Sequence, residues 1–287
     1  MLENRLFSIP AFLRSIALIS VAAGPFALSV DRLVILSAFL FALLLGWLLG
    51  RRRGVSVEPA LTGMMLLGVL GARVVFVLLY LDDYLIEPLS ILDIRDGGFH
   101  FGAGVASAAL FGTWRAWQHP PLRSSLAIAV ITGTTIWSIA TLGIQQMDES
   151  RPPLPPIVLE ALSGEQINLH TLNDMPMVIN LWATWCLPCR REMPVMEAAQ
   201  QREPGIRFVF INQGETNQQI RDYLEDEDLD LANVLLDSAS VTTRLLNTRG
   251  LPTTYFFDAN GEMLDAHVGE LSRASLNQKL RQLRPPG

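Results

Sequence analysis

NLWATWCLPCRREMP, residues 180–194, decides the fold. Its first residues close an apolar, buried-type strand, MVINLWAT (177–184), and the pattern from Pro188 to about Gln201 is helical. Cys186 and Cys189, the only cysteines of the 287-residue chain, therefore fall at a strand-to-helix junction. There the unpaired N–H groups and the positive end of the helix dipole favour a thiolate at Cys186. Pro188 suits a first helical turn, where its missing N–H costs nothing. Cys189 lies about one turn further on, within reach of Cys186 for a small disulfide. A low-pKa thiol with a neighbouring resolving thiol is the equipment of thiol–disulfide exchange. The competing readings are a purely structural disulfide or half of a zinc site. Zinc takes four ligands, and the four histidines (His100, His119, His170 and His267) are scattered. No metal site is expected, and no cofactor beyond the dithiol.

Strands and helices alternate around this stretch. IVLEAL (157–162), INL (167–169), IRFVFIN (206–212), NVLLD (233–237), TTYFFD (253–258) and EMLDAHVG (262–269) read as strands, with Asn260-Gly261 as the hairpin turn of the last two. Helices are expected from Thr216 to about Glu227, over Ser238–Asn247 and from Ser272 onward. This predicts a mixed sheet with helices on both faces, and about 130 residues suffice for such a core.

The first half is different. Half of all residues are hydrophobic, and they crowd into residues 1–149. Leu33–Leu49, Ala60–Leu81, Phe99–Trp117 and Ser124–Ile144 are apolar stretches of spanning or near-spanning length. Ala11–Val30, broken by Arg14 and Gly24-Pro25, is a fifth candidate: a span, an interfacial segment or a signal peptide. Arg51-Arg52-Arg53 and the Arg115–Arg123 loop are basic, whereas the intervening loop carries Asp82, Asp83, Glu87, Asp93 and Asp96 against Arg95. The positive-inside rule places the basic loops in the cytoplasm and everything after Gln145 outside. RPPLPP (151–156) is an extended spacer. The expected organisation is a transmembrane domain over 1–145 with four or five helices, a linker over 146–156, and an α/β domain over 157–287. The formal charge of −6 sits almost wholly in the second half, which argues against a nucleic-acid partner.

NLWATWCLPC, RREMP and RGLPTTYFFDANGEMLDAHVGEL resemble the TlpA/ResA group of membrane-tethered, thioredoxin-like thiol–disulfide oxidoreductases, over about residues 155–285. The resemblance implies a thioredoxin fold and a cis Leu251–Pro252 peptide facing the cysteine pair. It makes Cys186 the nucleophile, Cys189 the resolver and Glu192 a proton carrier, the alternative for Glu192 being an ordinary exposed helix residue. Pro252, Thr253 and Trp185 become the residues facing substrate. Asn180 stands where thioredoxin itself has a buried Asp. A reductase in an oxidising compartment needs a supply of electrons. The membrane half has no cysteine, so a DsbD-like or CcdA-like membrane protein is the expected donor, and disulfides of exported proteins are the expected substrates. Apocytochrome c is one candidate, although GLPTTYFF lacks the Gly-Ala-Pro-Glu-Thr string associated with dedicated cytochrome c maturation proteins.

GPFALSVDRLVILSAFLFALLLGWLLGRRRG (24–54), GARVVFVLLY (71–80) and IRDGGFHFGAGV (94–105) look like the first part of prolipoprotein diacylglyceryl transferase. The family's essential His aligns with Gly102, two residues past His100, and its Tyr before the first firm helix aligns with Asp31. This predicts a degenerate scaffold that keeps its packing glycines, with Arg73, Arg95 and His100 as candidates for binding lipid head groups. On this alignment the N-terminus lies outside, which favours four spans over five.

Overall fold

The computed structural model describes residues 20–23, 26–86, 88–147, 154–172, 174–246, 248 and 250–284. The chain divides into two compact units, one built mainly from residues 30–92 and 98–149, the other mainly from residues 150–287.

β1 (Ser20–Ala23) pairs antiparallel with β2 (Phe26–Ser29), and the described residues of the first unit begin at Val30. Within the 11–30 stretch the described residues 20–23 and 26–29 are therefore strand and not helix; residues 11–19, 24 and 25 lie outside the described ones. The helices are α1 (Val30–Arg53), α2 (Glu58–Leu79), the short α3 (Leu81–Ile86), α4 (Phe101–Gln118) and α5 (Arg123–Met147). Among the described residues three are long and apolar enough to cross a membrane: Leu33–Arg53, Glu58–Leu79 and Pro120–Gly143. The expected span Phe99–Trp117 is helical but not among them. Its Gly, Ala and Ser residues and its Trp-Arg-Ala-Trp end dilute its apolar character. Those small residues instead let α4 approach α2 closely. A Cβ on Gly104 would lie 3.0 Å from the Gly68 carbonyl oxygen, and one on Gly71 would lie 2.1 Å from Ser107 Oγ. Arg53, ending α1, donates to Ser124 Oγ at the start of α5, so these two ends meet.

The second unit holds a seven-stranded sheet, ordered β4-β3-β7-β6-β5-β8-β9. Its strands are β3 (Val158–Ala161), β4 (Gln166–Asn168), β5 (Met177–Trp182), β6 (Arg207–Gln213), β7 (Val234–Asp237), β8 (Thr253–Phe257) and β9 (Met263–Val268). β5, β6 and β7 run parallel, while β8 is antiparallel to both β5 and β9. The helices are α6 (Leu187–Arg202), α7 (Asn217–Asp226), α8 (Val241–Leu245) and α9 (Arg273–Leu283). Strand periodicity divides β5 between two cores. Val178 and Trp182 join Met193, Met196, Ile220, Phe208 and Leu280 under α6, α7 and α9. Met177, Ile179 and Leu181 join Leu159, Leu169, Val209, Tyr255 and Leu246 on the other face. Thr216 and Gln219 close a capping box at the start of α7, at the threonine expected to cap it. This is a thioredoxin fold with an N-terminal β3–β4 hairpin added to the sheet.

Candidate functional site: the Cys186–Cys189 centre

β5 ends at Trp182, and the turn Ala183–Trp185 delivers Cys186 as the N-cap of α6. The two cysteines are joined by a disulfide, with Cα atoms 5.2 Å apart. Cys186 Sγ accepts from the Cys189 N–H at 3.3 Å, one of the unpaired donors of the first helical turn. Cys189 is wholly buried, and Cys186 is nearly so. Beside them Trp185 and Leu187 are 70% and 65% exposed, leaving an apolar rim beside Cys186. Trp182 is buried under α6 and packs on Tyr223, whose ring carries the Arg190 guanidinium.

Glu192 is fully buried, one turn beyond Cys189 on the same helix face. The alternative of an exposed helix residue does not hold. Its Oε1 accepts from Asn180 Nδ2 at 2.6 Å and its Oε2 from the Leu271 N–H at 3.0 Å. Asn180 Nδ2 also donates to Thr254 Oγ1 at 3.0 Å, across the β5–β8 pair. Burial pushes the Glu192 carboxyl up to about 8, against the pull of the two donated hydrogen bonds. Arg191 and Glu270 form an ion pair on the adjoining surface, which fixes the loop that supplies the Leu271 N–H.

Leu251–Pro252 is cis. The β5–β8 register sets Thr253 opposite Leu181, which brings the start of β8 to the end of β5 that leads into Cys186. Of the residues expected to face substrate, only Trp185 is exposed. Pro252 is buried. Thr253 is fully buried, because it opens a strand with neighbours on both sides and its hydroxyl bonds to Gly250 O and to Thr248 Oγ1.

A second buried carboxylate escaped the sequence reading. Glu215 Oε2 accepts from the Thr184 N–H and from Asn212 Nδ2, both at 2.7 Å, and Oε1 accepts from the Thr184 hydroxyl. It pins the turn that precedes Cys186. The available signal was an acidic residue just past a buried parallel strand, at the sheet end that carries the cysteines. Glu215→Ala leaves buried donors unpaired. It is expected to lower the stability of residues 150–287, which carry both cores, by about 2–4 kcal/mol in urea denaturation.

In the first unit, Arg73 is buried and spends its guanidinium on backbone carbonyls: Nη1 to Gly98, Nε and Nη2 to Ile91, and Nη2 to Ser90. His100 is the N-cap of α4, its Nδ1 accepting from the Ala103 N–H. The Arg95 side chain lies outside the described residues.

The disulfide at the head of α6, in a thioredoxin fold, defines a thiol–disulfide oxidoreductase domain, and the cysteine pair is its redox-active element. Residues 152–266 match the AhpC/TSA family and residues 18–141 match prolipoprotein diacylglyceryl transferase. The second match extends beyond the stretch expected from the sequence and takes in most of α5. Among relatives, the thioredoxin-like protein YneN of Bacillus subtilis is 29% identical over 167 residues, which is 55% of this chain and 95% of YneN. The thiol-disulfide oxidoreductase ResA of Bacillus cereus is 27% identical over 133 residues, covering 46% of this chain and 76% of ResA. Among solved structures, a thioredoxin-family thiol:disulfide interchange protein from Chlorobium tepidum aligns with a TM-score of 0.42 at 25% identity, over 47% of this chain and 98% of that one. StoA from Bacillus subtilis aligns with a TM-score of 0.39 at 23% identity, over 45% and 99%. The chain thus joins an N-terminal segment similar to the transferase to a C-terminal segment similar to YneN and ResA.

Proposed function

We propose that the thioredoxin-like domain faces the periplasm from a membrane anchor and reduces disulfides in exported proteins. The anchor is residues 1–145, the linker 146–156 and the redox domain 157–287. The observation that carries this reading is the Cys186–Cys189 pair at the head of α6 with the buried, hydrogen-bonded Glu192 one turn behind it. Orientation rests on charge. Arg51–Arg53 and Arg123, at the joined ends of α1 and α5, are the basic positions retained in the cytoplasm.

In the reduced enzyme the Cys186 thiolate attacks one sulfur of a substrate disulfide. A mixed disulfide forms and the first substrate thiolate leaves. Cys189 loses its proton to the Glu192 carboxylate and attacks Cys186 Sγ. That closes the Cys186–Cys189 disulfide, releases the second substrate thiolate and completes a two-electron reduction. A carboxyl near 8 exchanges protons with a thiol of ordinary pKa, about 8.5, at little cost. Asn180 suits both states of Glu192, since its amide donates to the carboxylate and, turned over, accepts from the acid. Trp185 and Leu187 offer an apolar rim to the polypeptide flanking the substrate cysteine. A DsbD-like or CcdA-like membrane protein returns the electrons.

The test is the reduction potential of the purified chain against glutathione. A value near that of thioredoxin, about −270 mV, supports a reductase; one near that of DsbA, about −120 mV, would make it an oxidant. The match of residues 18–141 to the transferase favours a second reading, a lipid-modifying enzyme with a redox appendage. Transfer of labelled diacylglycerol to a lipobox peptide, abolished by Arg73→Ala but not by Cys186→Ala, would establish it.

A further inference from the structure

We propose that Leu85, Ile86, Leu89 and Leu92 pack against acyl chains of the bilayer, in the leaflet at the C-terminal end of α2. This rests on the first unit being embedded in a membrane.

Two independent observations point there. The first is exposure. Leu85, Ile86, Leu89 and Leu92 are 65%, 60%, 84% and 80% exposed, as open as Leu66 and Leu78 on the outer face of the membrane-length α2, at 71% and 63%. Four such side chains within eight residues form an apolar patch that water disfavours.

The second is depth, together with the treatment of the backbone. The chain leaves α2 at Leu79 and turns through α3 and a short 3-10 helix, Pro88–Leu92. It then comes back alongside α2. Arg73 Nη1 donates to Gly98 O at 2.8 Å, Nη2 to Ser90 O at 3.1 Å, and Nε and Nη2 to Ile91 O at 3.2 and 3.0 Å. The His100 N–H reaches Ala72 O at 3.0 Å. A Cβ on Gly98 would lie 2.6 Å from both Arg73 Nη1 and the Phe76 ring, so glycine permits the close approach. Arg73 is six residues short of the end of α2, roughly 9 Å along its axis, so the returning backbone sits well below the helix end. Irregular backbone at such depth has no water to bond and must find donors inside the protein. One guanidinium supplies them to three carbonyls. The Tyr84 and Phe99 rings, centred 5.3 and 5.6 Å from it, shield it. Asp82, exposed in the first turn of α3, marks the watery edge. A loop lying in water would not need Arg73 for its carbonyls, and would leave Leu89 and Leu92 unprotected.

The test uses the full chain carrying Cys186→Ser and Cys189→Ser, with one added cysteine at a time: Leu89→Cys, Leu92→Cys, Leu66→Cys or Asp82→Cys. Each is nitroxide-labelled in vesicles of phosphatidylethanolamine and phosphatidylglycerol, and power saturation is read with oxygen and with a water-soluble nickel chelate. Labels at 89 and 92 are expected to follow that at 66, with oxygen collisions exceeding nickel collisions several-fold, while the label at 82 shows the reverse. Nickel collisions at 89 and 92 as frequent as at 82 would overturn the proposal. Low collisions with both reagents, the mark of a covering protein or a second copy, would overturn it too. A label at 66 exposed to nickel would instead remove the membrane reading itself.

Discussion

Cys186→Ser is expected to bring dithiol-dependent reduction of a protein disulfide to background, whereas Cys189→Ser is expected to stop the reaction halfway. The asymmetry follows from position. Cys186 is the N-cap of α6, its sulfur beside the first-turn N–H groups and next to the exposed rim of Trp185 and Leu187. Cys189 is wholly buried. The first thiol can meet a substrate; the second can meet only Cys186. With Cys189 replaced, the substrate remains attached to Cys186, because no resolving thiol attacks the mixed disulfide. Non-reducing electrophoresis of membranes should therefore show high-mass adducts in Cys189→Ser that dithiothreitol dissolves. Cys186→Ser should show none. Adducts of equal yield in the two variants would remove the assignment of nucleophile and resolver.

Glu192→Gln is expected to flatten a pH dependence of stability and to slow resolution. Unfolded, Glu192 loses its proton near pH 4.5; folded, burial holds it to about 8. Between these values the native state carries the extra proton. The contribution of the protonated form is complete below the unfolded value and is lost as pH rises through the folded one. At about 1.4 kcal/mol per pH unit, the loss reaches at most about 5 kcal/mol across the window. Gln mimics the protonated acid and keeps acceptors for Asn180 and the Leu271 N–H only in part. The variant should fall slightly below wild type at pH 5 and rise relative to it toward pH 8. Urea denaturation of residues 150–287 at both pH values checks this. Loss of the proton acceptor should also slow release of the mixed disulfide about a hundredfold near neutral pH, the lower range of general-base contributions. A variant with unchanged release kinetics and an unchanged pH slope would return Glu192 to a packing role.

Local pattern accounts for what could be read from the residues. Apolar runs of five to seven residues between turn signals marked β5, β6 and β8, and each alternates its side chains between two cores. The Thr216 cap and the Asn260-Gly261 turn were legible because their chemistry is contained within four residues. What stayed hidden depends on pairings far apart in the chain. Glu192 is buried because Asn180, in β5, and the Leu271 N–H, in the loop before α9, converge on it. Nothing local to α6 distinguishes it from a solvated glutamate. Glu215 is hidden in part for the same reason, since Thr184, whose turn it pins, lies 31 residues away. The resemblance implies that Thr253 faces substrate; its side chain is buried by its place in the sheet. Arg73, in a helix, is a candidate for lipid head groups from the resemblance, and its guanidinium donates to the carbonyls of Ser90, Ile91 and Gly98, pairings that no local pattern reveals. Phe99–Trp117 was read as a span from its apolar content, although its small residues serve contact with α2.

The central claim is that electrons flow outward through Cys186 and Cys189 to substrates. The most direct measurement is thiol trapping of the pair in living cells, by acid quench and a mass-tagged alkylating reagent, with and without the membrane electron donor. The account predicts a mostly reduced pair when the donor is present and a mostly oxidised pair when it is deleted. A pair that is oxidised in both strains, or reduced in both, would contradict it.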